Sequence, residues 1–253
     1  MPLIASNGIS LNAVEIGSHG PRVVMLHGLF TGSSASWYFT SAPTLARDFH
    51  ILLYDLRSHG RSQRVSTGFD TATQVADLLG VLDHMGWQEP VALVGHSYGA
   101  LIALHFALAY PERVGKLALV EVPLPPSELP DLEAFIALGP SRMKDALPEA
   151  MKLTIDRRGR QAGKLLGTLS HLAFETSLLA DIKAERDVPD AALARLNKPL
   201  LVFGESSACF KTGQRLSRII PGAQWVPLQG GHYLSLEAPE ALTAALQAYL
   251  KQP

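Results

Sequence analysis

Residues 95–99, Gly-His-Ser-Tyr-Gly, form the stretch of this sequence that is best suited to chemistry. They follow a short apolar run at 90–94 and precede an alanine-rich run at 100–110, which predicts a strand, a sharp turn and a helix. The flanking glycines have no Cβ atoms to collide where strand and helix approach, so the hydroxyl of Ser97 can be pushed outward. The pattern predicts a nucleophile elbow with Ser97 at its apex.

A serine hydroxyl is a weak nucleophile at neutral pH, so it needs a base within hydrogen-bond reach and a third group that holds this base in the right tautomer. Of the nine histidines, His232 follows two glycines in a loop directly after the last predicted strand. The glycines would let its ring approach the elbow. We therefore expect Ser97 to attack and His232 to shuttle the proton.

The rest of the chain alternates between predicted strands and helices. Asn7-Gly8 favours a hairpin turn between two N-terminal strands, and apolar runs at 23–26, 51–54, 116–120, 199–204 and 224–228 read as further strands. Helical patterns lie at 37–47, 71–85, 211–219 and 239–250. Between 123 and 198 the alternation stops: prolines are followed by helical segments near 131–138, 141–155, 160–186 and 190–196. This span predicts an all-helical insertion.

Four motifs carry a resemblance to the α/β-hydrolase superfamily over about residues 23–250. They are His-Gly at 27–28, Asp-Leu-Arg-Ser-His-Gly-Arg-Ser at 55–62 with Ser58 where glycine is usual, the elbow, and Gly-Gly-His at 230–232. The resemblance implies an α/β fold: a mostly parallel, doubly wound sheet with an N-terminal antiparallel hairpin and a helical lid. The predicted domains are a core of residues 1–122 and 199–253 and a lid of residues 123–198. In the same likeness, His27 and the 55–62 loop are scaffold, and His96 is a packing residue.

The acid of the triad departs from the common pattern. In most members of the superfamily an aspartate stands three residues after the glycine that ends the strand following the lid, and here that position is Ser207. Two carboxylates remain near strand ends, Glu121 and Glu205. Haloalkane dehalogenases of this superfamily have a glutamate at the position matching Glu121, so we favour Glu121 and keep Glu205 as the alternative.

The same resemblance suggests an oxyanion hole and a pocket. The amides of Tyr98 and Leu29 are the expected oxyanion donors, because attack on a carbonyl needs preorganised N–H groups. The predicted substrate-binding side chains are apolar and lie beside the oxyanion loop or in the lid: Phe30, Phe135, Met143, Leu147, Leu166 and Phe174.

The bulk composition excludes several classes. The 253 residues carry a formal net charge of −1 and only 18% charged residues, without a basic run, so we expect no nucleic-acid partner. No apolar stretch predicts a membrane span, and the N-terminus has no targeting pattern. The single cysteine cannot form an internal disulfide. These features predict a soluble cytoplasmic protein, and the motifs predict neither a metal nor a cofactor.

The sequence thus predicts a serine hydrolase that cleaves a small-molecule carboxylic ester or thioester through an acyl-enzyme. Two alternatives stay open: a carbon–carbon bond hydrolase or lyase with the same triad, and a ligand receptor with little turnover. An aspartate nucleophile, as in the superfamily's dehalogenases and epoxide hydrolases, is excluded by Ser97.

Overall fold

The computed structural model describes residues 3–30, 32–125, 138–139, 142, 152 and 160–253. Eight strands form one sheet in the order β1-β2-β4-β3-β5-β6-β7-β8. The strands are β1 Leu3–Ser6, β2 Ile9–Ile16, β3 Arg22–Leu26, β4 His50–Tyr54, β5 Val91–His96, β6 Val114–Val120, β7 Leu200–Gly204 and β8 Gln224–Leu228. The pairs β1–β2 and β2–β4 are antiparallel and all others are parallel. This is the predicted mostly parallel sheet with an N-terminal hairpin.

Helices connect the strands and cover the sheet. They are α1 Ser34–Tyr38, α2 Ala42–Leu45, α3 Thr71–His84, α4 Tyr98–Ala109, α5 Arg160–Phe174, α6 Leu178–Ala184, α7 Asp190–Leu193, α8 Phe210–Ile219, α9 Leu234–Glu237 and α10 Pro239–Leu250. The 37–47 helix prediction was wrong, because the chain forms the two short helices α1 and α2 there. The 160–186 prediction is likewise divided into α5 and α6. Within the described residues, no helix is both long and apolar enough to span a membrane.

Two hydrophobic cores lie on the two faces of the sheet. Successive strand side chains point to opposite faces, so Val24 and Leu26 of β3 join one core while Val23 and Met25 join the other. All four are fully buried. Burial on both faces explains why the central strands read as continuous apolar runs and not as alternating ones.

The connecting helices are shaped by the same burial. Helix α4 is apolar on all sides and lies almost entirely inside the protein, as expected of a helix without a polar face. Helix α3 begins where Asp70 accepts a hydrogen bond from the Thr73 amide, 2.8 Å away. Both helices pack against the sheet and against each other. Parallel pairing places the carboxyl ends of β3, β5, β6 and β7 along one rim.

Part of the predicted lid falls outside the described residues. Of the span 123–198, the helices α5, α6 and α7 are described, and they follow β6 and precede β7 as an insertion would. Leu172, Leu178 and Ile182 belong to the same core as α3 and α4. The Ser177 amide donates to the Ser66 carbonyl over 2.7 Å, so this part lies against the loop that precedes α3. The domain boundaries stay a prediction.

Candidate active site

Ser97 stands at a tight junction between β5 and α4. Its backbone has φ 54° and ψ −119°, an unfavourable conformation for a residue with a side chain. A Cβ atom on Gly99 would lie 2.5 Å from the carbonyl oxygen of His27, and one on Gly95 would overlap the backbone of Ala100. The two glycines are therefore required by close backbone approach, and Ser97 has the geometry of the predicted elbow.

Parallel pairing brings the carboxylate of Glu121 beside the elbow. Residue 96 of β5 is in register with Val120 of β6, and the Ser97 amide donates to the Val120 carbonyl over 2.8 Å. Glu121 therefore leaves β6 directly next to Ser97. The loop after β8 carries His232 over the same rim.

The three side chains form a hydrogen-bonded line. His232 Nε2 lies 2.9 Å from Ser97 Oγ, and His232 Nδ1 lies 3.1 Å from Glu121 Oε2. A carboxylate can only accept, so Nδ1 carries the proton and Nε2 presents a lone pair to the serine hydroxyl. This is the tautomer that a general base needs.

Glu121 is completely buried and held by two further donors. The amide of Gly204 donates to Oε1 and the hydroxyl of Ser207 donates to Oε2. The Cys209 amide in turn donates to Ser207 Oγ over 3.1 Å. Sequence reasoning treated Ser207 only as a missing acid, whereas here it orients the carboxylate that has moved to the neighbouring strand. This role depends on β6 and β7 being neighbours at this rim, which the structure shows and the sequence does not.

The alternative acid, Glu205, lies elsewhere. It is exposed, and its carboxylate accepts a hydrogen bond from the side chain of Gln229. Its amide continues the ladder by donating to the Leu228 carbonyl over 2.9 Å. The structure therefore brings Glu121 to His232 and leaves Glu205 in a surface pair.

His96 supports the loop that carries His232. Its Nε2–H donates to the carbonyl oxygen of His232 over 2.7 Å. Burial, with the nearby His232 ring, lowers the pKa of His96 to about 3, so the ring stays neutral. A Cβ on Gly28 would approach its Nδ1 to 3.0 Å. His96 thus packs between two loops of the site, in keeping with the packing interpretation.

The expected oxyanion donors lie on either side of Ser97. Tyr98 is the first residue of α4, where amides have no partner within the helix, and Leu29 follows β3, the neighbour of β5. The Phe30 amide is engaged, because it donates to His59 Nε2 over 3.1 Å while His59 Nδ1–H donates to the Arg57 carbonyl over 2.8 Å. Burial lowers the pKa of His59 to about 3, which keeps Nε2 an acceptor. Sequence reasoning missed this role of His59, and Leu29 stays the predicted second donor.

The 55–62 loop anchors the loop that follows β3. His27 Nε2 accepts the amide of Leu56 at 3.0 Å. Arg57 forms a bidentate buried ion pair with Asp77, with distances of 2.8 and 2.7 Å. Asp55 accepts the Ser34 amide at 2.7 Å. The His27 and Asp55 contacts tie the loops after β3 and β4 together, and the ion pair ties the second loop to α3, as expected of scaffold.

The predicted lid residues are only partly described. On α5, Leu166 is half-buried and Phe174 is 44% exposed. Phe30 is half-buried beside the elbow core. The structure does not test whether they bind substrate, so this role stays a prediction for all three. The other predicted lining residues lie outside the described residues: Phe135, Met143 and Leu147.

Comparison with curated proteins finds relatives that match part of the chain. The chain is similar to epoxide hydrolase A of Mycobacterium tuberculosis (strain ATCC 25618 / H37Rv), with 34% identity over 137 residues, covering 53% of this chain and 42% of that protein. The chain therefore matches less than half the length of this curated relative.

Solved structures match nearly the whole chain. The enol-lactonase from Burkholderia xenovorans LB400 superposes with a TM-score of 0.82 at 20% identity, covering 99% of this chain and 100% of that one. The 2-hydroxy-6-oxo-6-phenylhexa-2,4-dienoate hydrolase from Rhodococcus sp. strain RHA1 superposes with a TM-score of 0.78 at 22% identity, covering 99% and 98%. At these identities the likeness shows the fold.

The family model described as "alpha/beta hydrolase fold" matches residues 21–171, which include the loop after β3, the elbow, and β6 with the glutamate that follows it. Together with the sheet order and the hydrogen-bonded line at its rim, this match identifies the family. The chain belongs to the alpha/beta-hydrolase fold family.

Proposed function

We propose that the protein is a serine hydrolase of carboxylic esters or thioesters that works through an acyl-enzyme. The observation that carries the proposal is the line from Ser97 through His232 to the fully buried Glu121, with contacts of 2.9 and 3.1 Å. The proton on His232 Nδ1 is held by the carboxylate, so Nε2 is free to take the Ser97 proton during attack.

The oxyanion formed by that attack needs donors that are already in place. The Tyr98 amide opens helix α4, so the positive end of the helix dipole adds to its N–H. The Leu29 amide follows the anchored His-Gly loop. Each such donor is worth about 10²–10³ in rate in a comparable enzyme. We propose these two amides as the oxyanion hole.

After the attack, the same groups complete turnover, with His232 acting first as an acid and then again as a base. The imidazolium of His232 gives its proton to the leaving alcohol or thiol, and the freed Nε2 then activates a water that attacks the acyl-enzyme. Buried Glu121 stabilises the positive charge on the ring in both steps. All proton transfers use side chains that the structure brings together.

Ser97 also argues against the reaction named for the curated epoxide hydrolase. A carboxylate that opens an epoxide forms an ester, which a water can hydrolyse. A serine alkoxide would form an ether, which has no carbonyl for water to attack. The nucleophile of this chain is therefore suited to acyl substrates and not to epoxide turnover.

A screen of chromogenic esters and thioesters across acyl chain lengths tests the proposal, together with labelling by an organophosphonate and peptide mass spectrometry. We expect ester turnover, a label on Ser97, and loss of both in Ser97→Ala. Ser217→Ala on α8, whose hydroxyl donates to the Gln214 carbonyl over 3.0 Å, is the matched control. Turnover of a vinylogous diketone with no ester cleavage would favour a carbon–carbon bond hydrolase, and tight binding without turnover would favour a receptor. Either outcome would refute the ester assignment.

A further inference from the structure

The thiol sulfur of Cys209 lies beside the His232–Glu121 pair, so three side chains that commonly bind metals meet at one place. Its Sγ lies 3.8 Å from His232 Nδ1, which is 3.1 Å from Glu121 Oε2. One ligand atom from each of the three residues lies within 4.8 Å of the other two. Cys209 and Glu121 are buried, while the side chain of His232 is 26% exposed and gives access from solvent. The reaction proposed above makes no use of the thiol.

We propose that Cys209, His232 and Glu121 form a binding site for a thiophilic divalent transition-metal ion such as Zn²⁺, and that occupancy of this site switches the hydrolase off. Only the second half, the inhibition, rests on the proposed function. The metal site itself rests on the three side chains and their spacing.

The distances suit a tetrahedral ion. Zinc binds sulfur at about 2.3 Å and nitrogen or carboxylate oxygen at about 2.0–2.2 Å. With these bond lengths, the 3.1 Å separation of nitrogen and oxygen corresponds to an angle of about 98° at the metal, and the 3.8 Å separation of sulfur and nitrogen to about 122°. These values lie on either side of the tetrahedral angle. The third pair, the sulfur and the carboxylate oxygen, lies within 4.8 Å, whereas a tetrahedral ion needs about 3.6 Å, so rotation of the Cys209 side chain towards Glu121 completes the site. Water supplies the fourth ligand.

The charges and ligand types select the ion. A thiolate and a carboxylate together carry two negative charges, which a divalent cation neutralises in a buried place where a net charge would be costly. Thiolate and imidazole favour zinc, cadmium and copper over Mg²⁺ and Ca²⁺, which prefer oxygen ligands. We therefore expect Zn²⁺ and Cd²⁺ to bind and Mg²⁺ to have no effect.

Metal binding inactivates the base because it moves the proton of His232 from Nδ1 to Nε2. The thiol of Cys209 releases its proton to solvent, and the proton on His232 Nδ1 moves to Nε2 as Nδ1 takes the metal. Nε2–H then faces Ser97 Oγ as a donor and can no longer accept the hydroxyl proton. The negative charge of Glu121 is neutralised by the metal and no longer stabilises an imidazolium. The base thus loses both its acceptor nitrogen and its charged partner.

Direct binding is tested without reference to activity. Cd²⁺ is titrated into metal-free Ser97→Ala protein, and the ultraviolet charge-transfer absorption of a cadmium–thiolate bond is recorded. We expect saturable binding of one ion, and at least a tenfold loss of affinity with no thiolate band when Cys209→Ser is added. Absence of a thiolate band in the Cys209-containing protein at saturating Cd²⁺ would overturn the site.

Inhibition is then measured on the active enzyme with a chromogenic ester in metal-buffered solution. We expect Zn²⁺ to inhibit wild type and a chelator to restore its rate. With each enzyme compared with its own metal-free rate, Cys209→Ser should need at least tenfold more Zn²⁺ than wild type for the same fractional inhibition. His50→Ala, which removes the surface His50–Glu15 pair of 2.7 Å, is the control and should be inhibited like wild type. Equal sensitivity of Cys209→Ser and wild type would refute the switch. An enzyme that binds Cd²⁺ through Cys209 but hydrolyses no ester would refute the proposed function and leave the metal site standing.

Discussion

Replacing Glu121 by glutamine tests the triad most directly, because it keeps the shape of the side chain and removes its charge. In the native protein Oε1 accepts the Gly204 amide, while Oε2 faces His232 Nδ1 and the Ser207 hydroxyl. The amide oxygen of a glutamine is required where the Gly204 N–H points, so the NH₂ group comes to face the histidine. His232 must then present a lone pair at Nδ1 and carry its proton on Nε2. That is the wrong tautomer for accepting a proton from Ser97.

The magnitude follows from the same geometry. An imidazolium and a carboxylate with polar atoms 3.1 Å apart attract each other by about 5 kcal/mol at an effective dielectric constant of about 20. Each 1.36 kcal/mol of transition-state stabilisation is about tenfold in rate. We therefore expect kcat to fall by about 10³–10⁴, which agrees with the ~10⁴-fold loss known for an equivalent change in another triad enzyme.

The assay compares kcat and KM of wild type, Glu121→Gln and Glu205→Gln on the best ester of the screen. Glu205 is exposed and paired with Gln229, so its variant should stay within about twofold of wild type. Circular dichroism and thermal melting confirm that both variants are folded. A Glu121→Gln enzyme within tenfold of wild type, while Ser97→Ala is inactive, would refute the role of Glu121.

Three further outcomes follow from the structure. Ser207→Ala removes a hydroxyl donor to the Glu121 carboxylate and should lower kcat about tenfold with little change in KM, since a hydrogen bond to a charged group contributes about 1.5–3 kcal/mol. Ser207→Thr keeps the hydroxyl and should recover most of the rate. An unchanged kcat in Ser207→Ala would contradict this role. Burial lowers the pKa of His59 to about 3, so the unfolded chain binds a proton near its ordinary pKa of about 6.5 that the native protein does not. The free energy of unfolding therefore falls as the pH falls from about 6.5 towards 3, by up to about 1.4 kcal/mol per pH unit, and His59 costs no stability above about pH 6.5. Urea unfolding at several pH values should show a steeper loss of stability in acid for wild type than for His59→Gln. Gly99→Ala places a Cβ 2.5 Å from the His27 carbonyl oxygen and should cost about 1–3 kcal/mol in unfolding free energy, measured by urea, whereas wild-type stability would show that the backbones can separate.

The sequence alone predicted the features that depend on contacts between residues close together in the chain. The glycines around Ser97 and the apolar runs before them determined the elbow, since backbone contact permits no Cβ there. Continuous apolar runs predicted the central strands, and the helical pattern at 71–85 predicted α3. The helix prediction at 37–47 failed because periodicity alone does not show the break that divides it into α1 and α2.

Tertiary structure decided how distant residues share the site. The sequence identified Ser97 and His232 as partners and left two acids open. The choice between them depends on strand adjacency, because β6 lies beside β5 and places Glu121 under the ring, while Glu205 leaves β7 towards solvent. The hydroxyl of Ser207, the acceptor nitrogen of His59 and the thiol of Cys209 were invisible as site components for the same reason. Each acts through a partner far away in the chain, and only the packed sheet fixes the distances of a few ångströms on which hydrogen bonding and metal coordination depend.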